Sequence, residues 1–185
     1  MEQKKYKVIL VDDHKLFREG LKFVIMQMDN IEVVAEASNG KEFLEILEYQ
    51  DADLVLMDIA MPELNGIEAT KQALDKRPAL KILVLSMFCD EEYYFQMIQA
   101  GVMGFVLKEV GKSELEEAIT TVLRGESFFS QKLLRDIIMN INNPLQKQKA
   151  PAEQKIDLTK RELDDLRGTV KFSDCRQAFY QFANG

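Results

Sequence analysis

Asp12 and Asp13 directly follow the apolar run VILV, and a third aspartate, Asp58, closes LVLMD. Ser86 closes KILVLS, and Lys108 follows GFVL. If these apolar runs are strands of one parallel sheet, three carboxylates, a hydroxyl and an amine gather along one rim of it. Carboxylates that close repel one another, so either they share protons with raised pKa values or a cation neutralises them. Hard oxygen donors with an open position suit Mg2+, which keeps several waters and meets phosphate oxygens. A lysine adds a mobile point charge for a phosphoryl oxygen, and a serine offers a hydroxyl to the same group. The set points to phosphoryl chemistry. Taken singly, each residue has a plainer role: an aspartate after a strand makes a turn, a serine ends a strand, a lysine faces solvent. Their joint placement at equivalent strand ends carries the functional reading.

The elements that must position them alternate. KVILV, EVVAEA, LVLM, KILVLS and GFVLK read as strands. Between them the apolar spacing is helical: Leu16, Leu21, Val24 and Met28; Phe43, Ile46 and Leu47; Ile67, Ala69, Ala73 and Leu74; Tyr94, Met97 and Ile98; Leu115, Ala118, Ile119 and Val122. Ser38 and Ser113 fit helix N-caps, the latter with Glu116 three residues on. Strand–helix alternation predicts parallel pairing through right-handed crossovers, and continuous apolar strands predict a sheet covered on both faces. The expected fold is a doubly wound five-stranded α/β sheet of order 2-1-3-4-5, flavodoxin-like, with a C-terminal helical extension. In that order strands one and three are neighbours, which brings Asp12, Asp13 and Asp58 together.

Composition and charge narrow the function classes. The chain has 185 residues, 46% of them hydrophobic, enough for a real core. No apolar run approaches the roughly 20 residues of a membrane span, and the N-terminus enters a strand without a signal-peptide core. Cys89 and Cys175 make neither a disulfide framework nor a metal site, so a reduced, cytoplasmic setting is expected. Residues 1–128 carry 14 Lys/Arg against 24 Asp/Glu, whereas residues 129–185 carry 10 against 7. The front part is therefore no nucleic-acid surface, and the back part is only mildly basic. His14, the one histidine, reads as a helix-start residue without chemistry, and the nine methionines read as core filler.

The motifs VDDH, LVLMDIAMPELNG, LVLSMF and GFVLKE together resemble a two-component response regulator receiver domain over residues 5–124. The resemblance implies that Asp58 accepts a phosphoryl group from a phosphohistidine on a sensor histidine kinase. It implies Mg2+ held by Asp13, Asp58 and the backbone carbonyl of Ala60, with Asp12 acting mainly through water. Ser86 matches the switch hydroxyl and Lys108 the phosphoryl-binding lysine. Met61, Pro62 and Gly66 match the loop after the acceptor, and Phe105 stands at the aromatic switch position, where a tyrosine is familiar. Glu109 follows Lys108 where many relatives carry proline, which leaves the cis or trans state of that bond open. Such proteins are phosphoacceptors rather than enzymes, and they sometimes act as homodimers.

GESFFSQKLL and, after a linker, LTKREL resemble the subgroup with a LuxR/NarL-type helix-turn-helix output domain. The expected organisation is a receiver at 1–124, a connecting helix at 125–143, a linker at 144–156 and an altered start of that output domain at 157–185. Four helices of ordinary length need roughly 60 residues, and after Leu163 no second helix, glycine turn and recognition helix follow in order. No DNA-binding residue is identified, and specific DNA binding by this chain is not expected. An intact DNA-binding regulator, and a receiver-only module that dimerises or drains phosphoryl groups, are the alternatives within the family. Two other classes fit less well. A haloacid dehalogenase-type phosphatase wants a second aspartate two residues after the first, where this chain has Ala60. An FMN binder wants a hydroxyl-rich loop where this chain has the acidic DDHK.

Overall fold

A computed structural model describes residues 5–87 and 91–130. The chain divides into two units, Met1–Asn142 and Asn143–Gly185, and every described residue belongs to the first. Strands and helices alternate as β1 (Tyr6–Val11), α1 (Lys15–Ile25), β2 (Ile31–Ala37), α2 (Gly40–Tyr49), β3 (Leu54–Asp58), α3 (Gly66–Lys76), β4 (Lys81–Ser86), α4 (Glu91–Ala100), β5 (Gly104–Leu107), α5 (Lys112–Leu123) and β6 (Phe128–Phe129). The sheet runs β2-β1-β3-β4-β5-β6, and every pair in it is parallel.

Successive side chains of a strand point to opposite faces, so each apolar run feeds two cores at once. Ile9, Val11, Val55, Met57, Ile82, Val84 and Phe105 face α2, α3 and α4, where Phe43, Ile46, Ile67, Ala73, Tyr94 and Met97 meet them. Val8, Leu10, Leu54, Leu56, Leu83, Leu85 and Val106 face α1 and α5, against Leu21, Val24, Ile25, Leu115, Ile119 and Val122. Burying each Val-, Leu- or Phe-sized side chain contributes about 1.5–3 kcal/mol. These two cores hold the strand ends that carry the polar residues.

Several local expectations are corrected. A sixth strand, Phe128–Phe129, extends the expected five-strand order by pairing with Gly104 and Phe105 of β5, so the sheet continues past residue 124. Within the segment 125–143, residues 125–130 form the expected turn and this strand. The rest of that segment, the linker and the altered output region lie outside the described residues. The α2 cap is Asn39, whose side chain accepts from Glu42 N at 2.8 Å, while Ser38 donates from both its amide and its hydroxyl to the Glu42 carboxylate. α5 starts from Gly111 with no side-chain cap, so Ser113 lies inside the first turn. Leu16 is 62% exposed, because the buried stripe of α1 runs through Leu21, Val24 and Ile25 instead. Ile98 on α4 also faces outward, and Met26 and Met87 are exposed rather than core filler. No peptide bond among the described residues is cis, Lys108–Glu109 included.

Candidate functional site

Parallel register brings the strand ends together. β1 lies beside β3, so Asp12, one residue past β1, stands next to Asp58 at the end of β3. β4 follows, with Leu85 opposite Asp58, and Ser86 stands opposite Leu107 of β5. The Lys108 amide donates to the Ser86 carbonyl at 2.8 Å, fixing where the lysine side chain starts. That side chain is 3% exposed, and its Nζ lies 2.7 Å from Asp12 Oδ2 and 2.9 Å from Asp58 Oδ2. The same ammonium sits 4.8 Å from the centre of the Phe17 ring on α1.

The acids are held by neighbours in their own turns. Asp12 Oδ1 accepts from the His14 amide at 2.9 Å, and Arg18 donates to the Asp12 carbonyl. Asp58 Oδ1 accepts from the Ile59 amide at 2.8 Å. Asp13 is exposed, and its Oδ1 lies 2.8 Å from His14 Nδ1. Ligand atoms of Asp12, Asp13, His14 and Asp58 all lie within 4.8 Å of one another. Burial pushes the Asp58 carboxyl above the usual carboxylate range; the ammonium of Lys108 pulls it back, and Asp12 adds to the rise.

The Asp58 backbone is as closely packed as its side chain. The Gly66 amide donates to the Ile59 carbonyl at 2.9 Å, and a Cβ at position 66 would stand 1.9 Å from the Asp58 carbonyl oxygen. Only glycine allows that approach, which turns the chain after β3 back into α3. Asn65 caps α3 by accepting from Glu68 N at 2.9 Å.

The predicted residues thus divide into groups. Asp12, Asp58 and Lys108 form one buried cluster, with Asp13 at its mouth. Ser86, 5% exposed, ends the neighbouring strand, and Ala60 lies exposed in the loop after β3. Phe105 is not in the cluster. It is fully buried, with its ring 5.4 Å from that of Tyr94 at 61°, and Tyr94 in turn meets Phe129 at 6.0 Å. Four residues take a part that their spacing did not disclose: His14 beside Asp13, Arg18 under Asp12, Phe17 over Lys108, and Tyr94 against Phe105. Only the run of His14 directly after two aspartates gave a signal.

Whether a hard cation suits these residues is tested by the charges and by one oxygen. Asp12 Oδ2 has no partner in hydrogen-bond geometry, although Lys108 Nζ faces it as an ion pair. Three carboxylates stand against one ammonium, so the donor set retains negative charge and oxygen lone pairs. Both features fit a divalent cation with oxygen preference.

Comparison with known proteins agrees with the geometry. The model of the response regulator receiver domain matches residues 8–120. This chain belongs to the response regulator receiver family. Among its relatives, the transcriptional regulatory protein DegU of Brevibacillus brevis is 36% identical over 138 residues, which cover 75% of this chain and 58% of that protein. The transcriptional regulatory protein YxjL of Bacillus subtilis is 37% identical over 168 residues, or 90% of this chain and 76% of its own length. The oxygen regulatory protein NreC of Staphylococcus aureus is 36% identical over 163 residues, 86% of this chain and 75% of that one. Among solved structures, a LuxR-family two-component response regulator from Aurantimonas superposes with TM-score 0.71 at 30% identity, covering 75% of this chain and 99% of the other. The described unit is therefore the receiver of a two-component response regulator related to the LuxR/NarL type. No helix among the described residues is long and apolar enough to cross a membrane.

Proposed function

We propose that Asp58 is the phosphoacceptor and that Asp12, Asp13, Asp58 and the Ala60 carbonyl hold Mg2+. The observation that carries the reading is the Lys108 ammonium between two buried carboxylates, 2.7 Å from Asp12 and 2.9 Å from Asp58. An Asp58 carboxylate oxygen forms the bond to phosphorus as the bond from phosphorus to the imidazole nitrogen of a sensor-kinase phosphohistidine breaks. Charge spreads over the equatorial oxygens in the transition state. Lys108, already buried at this rim, offsets part of that charge without reorganisation. Bound Mg2+ supplies further charge neutralisation and contacts to phosphoryl oxygens. The Ile59 amide keeps the acceptor carboxyl oriented. The protein's part is that of an acceptor that changes its surface, not of a catalyst acting on a free substrate.

Ser86 ends the strand beside Asp58 and supplies the hydroxyl that reads the phosphoryl group. Phe105 is the aromatic switch residue; its ring already fills the core beneath α4, so switching repacks Phe105 against Tyr94 rather than bringing an exposed ring inward. The experiment is labelling by acetyl phosphate in the presence of Mg2+. One label per chain is expected, and Asp58→Asn abolishes it because an amide is no carboxylate nucleophile. Stoichiometric labelling of that variant at another residue sinks the assignment.

The second reading, control of transcription through DNA, is favoured by the transcriptional regulators among the relatives, whose similarity reaches 90% of this chain. It is opposed by the residues after Leu163, which offer no recognition helix in sequence order and balanced charge. A shift assay with the protein's own promoter region at physiological salt separates the two. No sequence-specific complex is expected, and one that survives excess nonspecific DNA overturns that expectation.

A further inference from the structure

The loop after Asp58 carries the Ala60 carbonyl, and the first turn of another helix is built against that loop. Gly40, the first residue of α2, donates its amide to the Leu64 carbonyl at 2.9 Å. A Cβ placed on Gly40 would lie 2.6 Å from the Leu64 carbonyl oxygen, 2.7 Å from the Ala69 Cβ on α3 and 3.1 Å from Leu64 Cγ. The first two separations are far below ordinary contact, and the first partner is backbone, so it cannot rotate away. Within the loop, the Leu64 amide donates to the Pro62 carbonyl, the Gly66 amide donates to Ile59, and Glu63 holds a left-handed φ of 63°. The Gly66–Ile59 bond closes the loop on itself, with both Ala60 and Leu64 inside the span it closes.

We propose that Gly40 is a positioning residue for the metal site. Its amide and its missing Cβ set the Ile59–Asn65 loop, and so place the Ala60 carbonyl for Mg2+. The inference rests on the magnesium reading given above. Helix preference alone points the other way: inside a helix, alanine is favoured over glycine. Gly40 is therefore kept by the close approach, not by the helix. Mg2+ demands near-ideal octahedral geometry, so a carbonyl pushed back by a few tenths of an ångström is a poorer ligand.

The test is calorimetric titration of the full chain with Mg2+, followed by acetyl phosphate labelling across Mg2+ concentrations. Gly40→Ala is expected to weaken Mg2+ binding about tenfold, the low end of the effect of residues that support metal ligands. The Mg2+ needed for half-maximal labelling should rise by the same factor, while the rate at saturating Mg2+ is kept. Asn39→Ala removes the cap bond to Glu42 without touching Leu64; it should lower the melting temperature and leave the Mg2+ midpoint unchanged. Gly20→Ala, inside α1 where an added Cβ meets nothing within 4 Å, should raise the melting temperature and leave the Mg2+ midpoint unchanged. If Gly40→Ala does not fold, the double variant with Ala69→Gly removes the helix collision and keeps the one with Leu64. Parent-like Mg2+ affinity in Gly40→Ala, or in that double variant, overturns the proposal. Asp13→Ala separates the two failures. If it loses Mg2+ affinity while Gly40→Ala does not, the positioning role alone falls; if neither loses affinity, the magnesium site falls and the positioning role with it.

Discussion

Replacing Asp58 by asparagine should make the metal-free receiver more stable, although it removes an ion pair. Asp58 Oδ2 lies 2.9 Å from Lys108 Nζ, an attraction of about 6 kcal/mol at an effective dielectric of about 20. Its ligand atom lies within 4.8 Å of Asp12, so at the same dielectric that pair repels by about 3.5 kcal/mol. Asp13, at the solvent-facing mouth, adds about 1 kcal/mol in water-like surroundings. Removing a carboxylate from water costs several kcal/mol more. Asparagine surrenders the attraction but escapes both repulsions and most of the desolvation, for a net gain of about 1–2 kcal/mol. Lys108 keeps Asp12 as a partner, and the asparagine oxygen still accepts from the Ile59 amide. Urea denaturation followed by circular dichroism, with a chelator present at neutral pH, should show a midpoint raised by about 0.5–1 M. Excess Mg2+ should narrow the difference, because it binds the native parent more tightly than the native variant.

The pH dependence has a definite sign. The native carboxyl of Asp58 titrates above its ordinary value of 3.8, so the parent is relatively most stable below that value, where Asp58 is protonated in both states. That advantage is lost as pH rises through the native value. The variant's lead should therefore open from about pH 4 upward and close in acid. A variant no more stable than the parent at neutral pH without metal, or a lead that Mg2+ leaves untouched, refutes the reasoning.

Gly66→Ala should cost more than about 3 kcal/mol and abolish labelling, because its Cβ would stand 1.9 Å from the Asp58 carbonyl oxygen; urea denaturation and the label measure both. Phe105→Ala removes a fully buried ring packed on Tyr94 and should destabilise by about 3–5 kcal/mol, read from the same denaturation. Glu42 is held below its ordinary 4.5 by the Ser38 hydroxyl and amide, so its contribution is present above that value and lost as pH falls through the lower native one. In Glu42→Gln the melting temperature should fall less than the parent's over that acid range, which a series of thermal melts checks.

The rim of the sheet was legible in the sequence because each functional side chain ends an apolar run, and a polar residue at a strand end stands out against its neighbours. Asp12, Asp58, Ser86 and Lys108 all fall where that rule places them. Parallel pairing follows from strand–helix alternation, but alternation alone does not choose among the common doubly wound orders; the flavodoxin-like order places β1 beside β3, as the sheet does. Caps were less so: Ser38 and Asn39 are both eligible, and only the path of the chain selects Asn39 while turning Ser38 toward Glu42. Leu16 fits the helical period of α1, but the face that the helix buries runs through Leu21, Val24 and Ile25 and leaves Leu16 exposed. Phe128 and Phe129 show no alternation in two residues. Their strand exists because Phe129 packs on Tyr94 and because Ser130 N reaches the Phe105 carbonyl at 3.3 Å, contacts between residues distant in sequence. Gly66 was marked by the receiver resemblance, but Gly40 looks like Gly20 in the sequence, and only the packing separates the one that must be glycine from the one that need not be.

Among the described residues, β6 is the strand that covers the outer edge of β5. Without Phe128 and Phe129, β5 would be the outermost strand, with the Gly104 and Phe105 backbone groups open to any extended segment that met them. Two residues are too few to serve as a template in their turn. A fragment prepared to stop at Arg124, where α5 ends, would uncover that row together with the Tyr94 ring, and should self-associate through strand addition. A fragment carried through Ser130 keeps the edge covered. Comparing the association of the two fragments tests whether the short aromatic strand guards the β5 edge against aggregation.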